Sequence, residues 1–70
     1  MAKIEDFTKR ELEILVLMCD GLSNEEIAKK LDRSIQTISN HAVTIRRMMK
    51  AKSRAEVVAK AFHTGLVISR

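Results

Sequence analysis

The chain has 70 residues with a formal net charge of +4, and 46% of them are hydrophobic and 31% charged. So short a chain builds one domain with a thin core, which excludes an enzyme with a deep substrate cavity; the lack of proline and the two glycines favour an all-α fold with short turns. No apolar run approaches the ~20 residues of a membrane span, Met1–Asp6 has no signal-like core, and the lone Cys19 sits in an apolar run as a buried thiol, so the expected setting is the cytoplasm.

Thr8, followed three residues later by Glu11, forms a capping box that opens a helix over residues 9–19. Gly21 stands just past its end, where a left-handed residue is cheap for glycine. Ser23 and Glu26 open a second helix over 24–31 in the same way. Ser34 caps a third over 35–49, in which Ile35, Ile38, Ala42, Ile45 and Met49 fall within one arc of about 80° and are expected to face the core. Ser53 and Glu56 open a fourth over 54–64, closed by Gly65.

A two-turn helix, the turn Leu31-Asp32-Arg33-Ser34 and a longer third helix make a helix-turn-helix unit over residues 24–49. The turn lacks the glycine often found there. Charge divides along the same line. Residues 1–27 carry Lys3, Lys9 and Arg10 against seven acids, a net of −4; residues 28–60 carry nine bases (Lys29, Lys30, Arg33, Arg46, Arg47, Lys50, Lys52, Arg54, Lys60) against Asp32 and Glu56, a net of +7. A surface of that sign attracts polyanions.

Opposite the apolar arc of the third helix lie Gln36, Asn40, Val43 and Arg47, with Thr44 at the edge. Amides read adenine and an apolar branch touches a thymine methyl, so Gln36, Asn40 and Val43 are candidate base readers, with helix 35–48 in the major groove. Arg46, Arg47, Lys50 and Lys52 are placed to clamp phosphates, with Ser34, Thr37, His41 and Thr44 beside the DNA backbone. The same pattern also describes the solvated face of any amphipathic helix.

In the fourth helix Ala55, Val57, Val58, Ala59, Ala61 and Phe62 spread over about 200°, interrupted only by Arg54, where one core contact needs roughly 100°. The surplus, centred on Val57 and Ala61, is expected to form a homodimer contact. Alternatively, the tail Leu66-Val67-Ile68 folds back over it.

The segments Phe7-Thr8-Lys9-Arg10-Glu11-Leu12-Glu13-Ile14-Leu15 and Gly21-Leu22-Ser23-Asn24-Glu25-Glu26-Ile27-Ala28, with Leu31, Ser34, Thr37-Ile38 and His41, closely resemble the DNA-binding domain of LuxR-type regulators, the NarL/FixJ/GerE family. The resemblance covers residues 7–68 and implies a four-helix domain, a DNA-reading unit in its second and third helices, and dimerisation through the fourth. It places base contacts on Gln36, Ser39, Asn40 and Val43. Ser39 stands where the family usually has lysine or arginine, Arg33 replaces an aliphatic residue, and Met48-Met49-Lys50-Ala51 replaces a lysine-leucine-glycine-valine-like stretch.

A σ-factor region-4-like module is a second reading, with RNA polymerase as its partner, and a dimerisation module that titrates related regulators is a third. No partnered nucleophile, paired acids, phosphate loop or ligand-spaced histidines and cysteine occur, so neither an enzyme nor a metal or cofactor is expected.

Overall fold

Hydroxyl side chains open all four helices of the computed structural model, which describes residues 4–67. After a 3-10 turn at Ile4–Asp6, which sequence pattern did not reveal, come α1 (Lys9–Cys19), α2 (Asn24–Leu31), α3 (Ile35–Met48) and α4 (Arg54–His63). Thr8 Oγ1 accepts from Glu11 N at 3.1 Å while Glu11 Oε1 accepts from Thr8 N at 2.9 Å. Ser23 and Glu26 form the same reciprocal pair at 3.2 and 2.9 Å. Each such cap is worth about 1 kcal/mol. The Ser23 backbone N–H holds the Glu26 carboxyl below the usual glutamate range, so this box is complete at neutral pH and weakens as pH falls through that lowered value.

The third expected box is only half made. Ser53 Oγ accepts from Glu56 N at 3.2 Å, but the Glu56 carboxylate meets Lys60 Nζ at 3.2 Å, which lowers its pKa. Ser34 caps α3 alone, accepting from Thr37 N at 3.1 Å.

A left-handed residue follows every one of the four helices, Gly65 (φ 79°) after α4, and after the first three two successive amides turn back onto the last carbonyls. After α1 that residue is Gly21 (φ 89°), with Gly21 N and Leu22 N donating to Met18 O and Leu17 O at 3.0 and 3.1 Å. After α2 it is Asp32 (φ 55°), which fills the position left without a glycine in the helix-turn-helix turn. After α3 it is Lys50 (φ 53°), with Lys50 N on Arg47 O and Ala51 N on Arg46 O. That turn ends α3 at Met48, one residue before the expected boundary, and α4 likewise ends one residue early at His63.

The core joins Phe7 to Ile14, Leu15 and Met18 of α1, Ile27 and Ala28 of α2, Ile38 and Ile45 of α3, Met49 and Ala51 of the following turn, and Val57 and Ala61 of α4. α3 packs on all three other helices. Each fully buried aliphatic contributes about 1.5–3 kcal/mol, more than any single cap, so burial rather than capping fixes how the helices sit.

Two expectations about apolar residues are corrected. Ile35 was assigned to the core stripe but is 52% exposed, because the first turn of α3 projects past the buried cluster that covers Ile38 and Ile45. Val57 and Ala61, assigned to a dimer contact, are each 0% exposed, because α4 turns that side of its arc onto the protomer's own core. Leu66 and Val67 do pack against this core, and Val67 N donates to Ala61 O at 3.2 Å. Ile68, Met1–Lys3 and Arg70 lie outside the described residues.

Arg54, the first residue of α4, ties that helix to the opposite end of the reading unit. Its Nη1 donates to Asn24 Oδ1 and its Nη2 to Leu22 O, both at 2.6 Å. Arg54→Met is expected to lower unfolding stability by about 2–3 kcal/mol in urea titrations, since it strands two half-buried acceptors; a loss below about 0.5 kcal/mol would show that the bonds are replaced by water at no cost. Lys50→Gly is expected to raise stability by about 0.5–1 kcal/mol, the left-handed cost of a side chain less the added entropy of unfolded glycine; a destabilised variant in the same titration would refute the strain at that turn.

Candidate nucleic-acid interface

The helix-turn-helix unit holds α3 with its buried stripe inward and its opposite face open. Gln36, Asn40, Val43, Thr44 and Arg47 are exposed, as expected from their positions on the helix. Gln36 Nε2 donates to Asn40 Oδ1 at 2.9 Å, so the two amides form one oriented pair along the helix surface. The bond leaves the Gln36 carbonyl and both hydrogens on Asn40 Nδ2 free. Thr44 Oγ1 donates to Asn40 O at 3.1 Å, which holds its methyl and hydroxyl in one orientation.

Ser39 differs from these neighbours. It is half-buried, and its Oγ accepts from Asn24 Nδ2 at 3.4 Å, across the turn between α2 and α3. Asn24 in turn accepts from Arg54, so α4 and α2 are joined to α3 through one chain of side-chain bonds. A hollow of about 180 Å³ opens there, lined by Asn24, Ser39, Ala42, Val43, Arg46 and Arg54 over Met18 and Val57. Sequence reasoning missed the roles of Asn24 and Arg54. The signal was the interruption of the apolar arc of α4 by a guanidinium, which in a packed helix must find an acceptor.

The flanking residues also separate. Ser34 is exposed and shares a 2.9 Å hydrogen bond with the Thr37 hydroxyl, while Thr37 and His41 are half-buried on the edge of α3 away from Ser39. Arg47, Lys50 and Lys52 are exposed. Arg46 is half-buried, and its Nη1 donates to Ala51 O at 3.2 Å. Lys60 Nζ donates to Met49 O and Lys50 O at 3.2 and 2.9 Å. Two cations thus bond the carbonyls of the turn that follows α3, close to the negative end of the helix dipole.

The basic surface is consequently smaller than the charge count implies. Of the nine bases between residues 28 and 60, Arg46, Arg54 and Lys60 bond protein carbonyls or the Asn24 amide, and Lys29, Lys30, Arg33, Arg47, Lys50 and Lys52 face solvent.

The remaining surface offers less chemistry. A groove of about 450 Å³ between α1 and α2 is lined by Leu12, Val16, Leu17 and Leu31 with Lys9, Glu13 and Lys30, and includes no residue of α3. Cys19 is half-buried, and burial, with the Asp20 charge beside it, pushes its thiol up. Among the described residues no cluster of three histidine, cysteine or acidic side chains could hold a metal, and no helix is long and apolar enough to cross a membrane.

On α4 the exposed apolar residues are Ala55, Ala59 and Phe62, with Val58 half-buried beside them. These, and not Val57 and Ala61, form the surplus apolar strip.

Residues 5–61 match the bacterial regulatory proteins of the luxR family. The chain is 44% identical over 63 residues to the uncharacterized transcriptional regulatory protein YxjL of Bacillus subtilis, which covers 90% of the chain and 29% of that relative. It is 42% identical over 60 residues to the oxygen regulatory protein NreC of Staphylococcus carnosus, covering 86% of the chain and 28% of the relative. With the response regulator protein VraR of Staphylococcus aureus it shares 36% identity over 63 residues, 90% of the chain and 30% of the relative. The chain therefore spans less than a third of the length of these relatives. Its four helices, the helix-turn-helix geometry of α2 and α3 and the match along most of its length agree: the chain belongs to the luxR family of bacterial regulatory proteins and forms that family's helix-turn-helix DNA-binding domain.

Proposed function

We propose that the chain is a sequence-specific reader of double-stranded DNA, the DNA-binding part of a transcription regulator, with α3 in the major groove and two copies meeting through α4 on paired half-sites. The observation that carries this reading is the division of α3. Ile38 and Ile45 fix the helix on the core, while the opposite face presents uncharged amide and apolar groups and leads into exposed cations at its C-terminal end. Acid is absent from α3.

Gln36 and Asn40 supply the donor and acceptor pairs that base edges require, and Val43 an apolar contact. Ser39 accepts from Asn24 and keeps its own hydroxyl proton for a base acceptor. Arg47, Lys50 and Lys52 hold phosphates, with Ser34, Thr37, His41 and Thr44 along the strand edges. Arg46 serves the turn after α3 as much as the DNA, so its removal mixes two effects.

Two-fold symmetry requires each copy to offer the same patch, and the strip Ala55, Val58, Ala59 and Phe62 is the apolar surface of α4 that its own core leaves open. Half-sites are then about 10 base pairs apart, centre to centre.

Selection of bound duplexes from a random library, at two salt concentrations, tests the reading directly. An enriched inverted repeat is expected; binding without enrichment, lost as salt rises, would leave only a basic surface and favour the titrating module. Asn40→Ala is expected to cost about 1–3 kcal/mol on the selected site and little on random DNA, whereas Arg47→Ala weakens both alike and lowers the salt slope by about 1. Equal losses on both DNAs for both variants would overturn these roles. Ala59→Glu is expected to reduce affinity for the paired site at least about tenfold while leaving single half-site binding and the thermal midpoint unchanged; retained paired-site affinity would remove α4 from the dimer.

A further inference from the structure

Three large hydrophobic residues are exposed among those described: Ile35, Val43 and Phe62. Two of them lie on the reading helix. Ile35 is its first residue and Val43 its ninth, two turns on, which separates them by about 12 Å along the axis. The N-terminal part of a reading helix is the part that meets base edges. On the helical wheel Ile35, Ser39, Val43, Gln36 and Asn40 occupy one arc of about 140°, with the two apolar side chains on one side of it and the bonded amides on the other.

We infer that the half-site this helix reads is centred on A·T pairs, with Ile35 and Val43 packed on thymine methyl groups and the Gln36–Asn40 pair on adenine edges. The inference rests on the DNA-reading assignment above and names the base chemistry of that surface.

The four base-pair edges make different demands. Adenine offers an acceptor at N7 beside a donor at N6, which an amide matches with one donor and one acceptor. In the bonded pair, Gln36 keeps its carbonyl and one N–H, and Asn40 keeps two N–H groups and one carbonyl lone pair. Guanine offers two acceptors, N7 and O6, which are best met by the two donors of arginine or by lysine. From Ser34 to Ile45 there is neither. Arg47, the next cation on the exposed face, lies a full turn beyond Val43.

The apolar residues complete the argument. Ile35 is 52% exposed and Val43 40%, so neither is required by the core, and both stand where a groove floor would cover them. The only apolar group on the major-groove edge of DNA is the thymine methyl. Ser39, between them, is a hydroxyl that bonds any base and discriminates weakly.

The test uses the 70-residue chain and the duplex recovered by library selection, resynthesised with uracil in place of each thymine in turn. Uracil keeps every hydrogen-bonding group and removes only the methyl. An A·T-rich half-site is expected, with about a fourfold loss of affinity at each of two positions three or four base pairs apart, the equivalent of one buried carbon. Ile35→Ala is expected to abolish the uracil effect at one position and Val43→Ala at the other. Since both side chains are exposed, unchanged circular dichroism and thermal midpoints are expected to accompany these losses. An enriched site with guanine at these positions, or uracil-insensitive binding to an enriched site, would overturn the inference and leave the DNA-reading assignment standing. Absence of any enriched site would overturn both.

Discussion

One guanidinium gives direction to a geometry that aliphatic burial alone would hold less closely. Arg54 begins α4, yet its two hydrogen bonds reach the turn before α2 and the first residue of α2. Together the two half-buried bonds from this charged donor are worth about 2–3 kcal/mol, comparable with one buried aliphatic side chain. They are also directional, which hydrophobic contact is not. Aliphatic packing brings all four helices together, and the Arg54 fork adds a directional link between α4 and α2. Asn24 then extends the constraint to α3 through Ser39. The orientation of the reading helix is thereby tied to the helix whose outer strip is proposed to meet a second copy.

Cations perform two different tasks in this chain, and the distinction is physical rather than positional. Arg46 and Lys60 bond the carbonyls of residues 49–51, where the negative end of the α3 dipole would otherwise face outward. Next to them Arg47, Lys50 and Lys52 remain exposed. An uncovered helix C-terminus near a phosphate backbone would be repulsive. With Arg46 and Lys60 over it, the neighbouring exposed charges would act on phosphates without that opposition in the proposed complex. Glu56 supports the arrangement from α4 by holding Lys60 at 3.2 Å.

The local features were the legible ones. Serine or threonine followed by glutamate three residues on is a short-range chemical instruction, and both residues of the Thr8–Glu11 and Ser23–Glu26 pairs act as their spacing requires. Gly21 and Gly65 likewise adopt positive φ where the helix ends demand it. Lys50 does so too, although its residue type gives no hint. What periodicity could not tell is where a stripe ceases to be covered. Ile35 and Ile38 belong to one sequence stripe, and only the second is under other helices. On α4 the arc was too wide for one contact, as read, but which half faced inward depended on the approach of α1 and α3. Val57 and Ala61 proved to be the inner half. The Gln36, Asn40 and Val43 face was legible because it is simply the far side of a buried stripe; the engagement of Ser39 by Asn24 depends on a long-range approach that no pattern within α3 records.

The exposed apolar residues follow one rule. A domain of this size has little core to spare, yet its core closes without Ile35, Val43 or Phe62. Scattered surface hydrophobics need no explanation in general, but these lie on the outer faces of α3 and α4. In the proposed complex each becomes covered: the first two by a groove edge, where a methyl contact would discriminate between bases at no charge-dependent cost, and the third by a symmetric copy. Phosphate contacts by exposed cations carry no sequence information and so would not choose a site. On the proposed reading, choice comes from the uncharged arc of α3, whose individual contacts are small, and the covering of Phe62 by a second copy would double them without enlarging the fold.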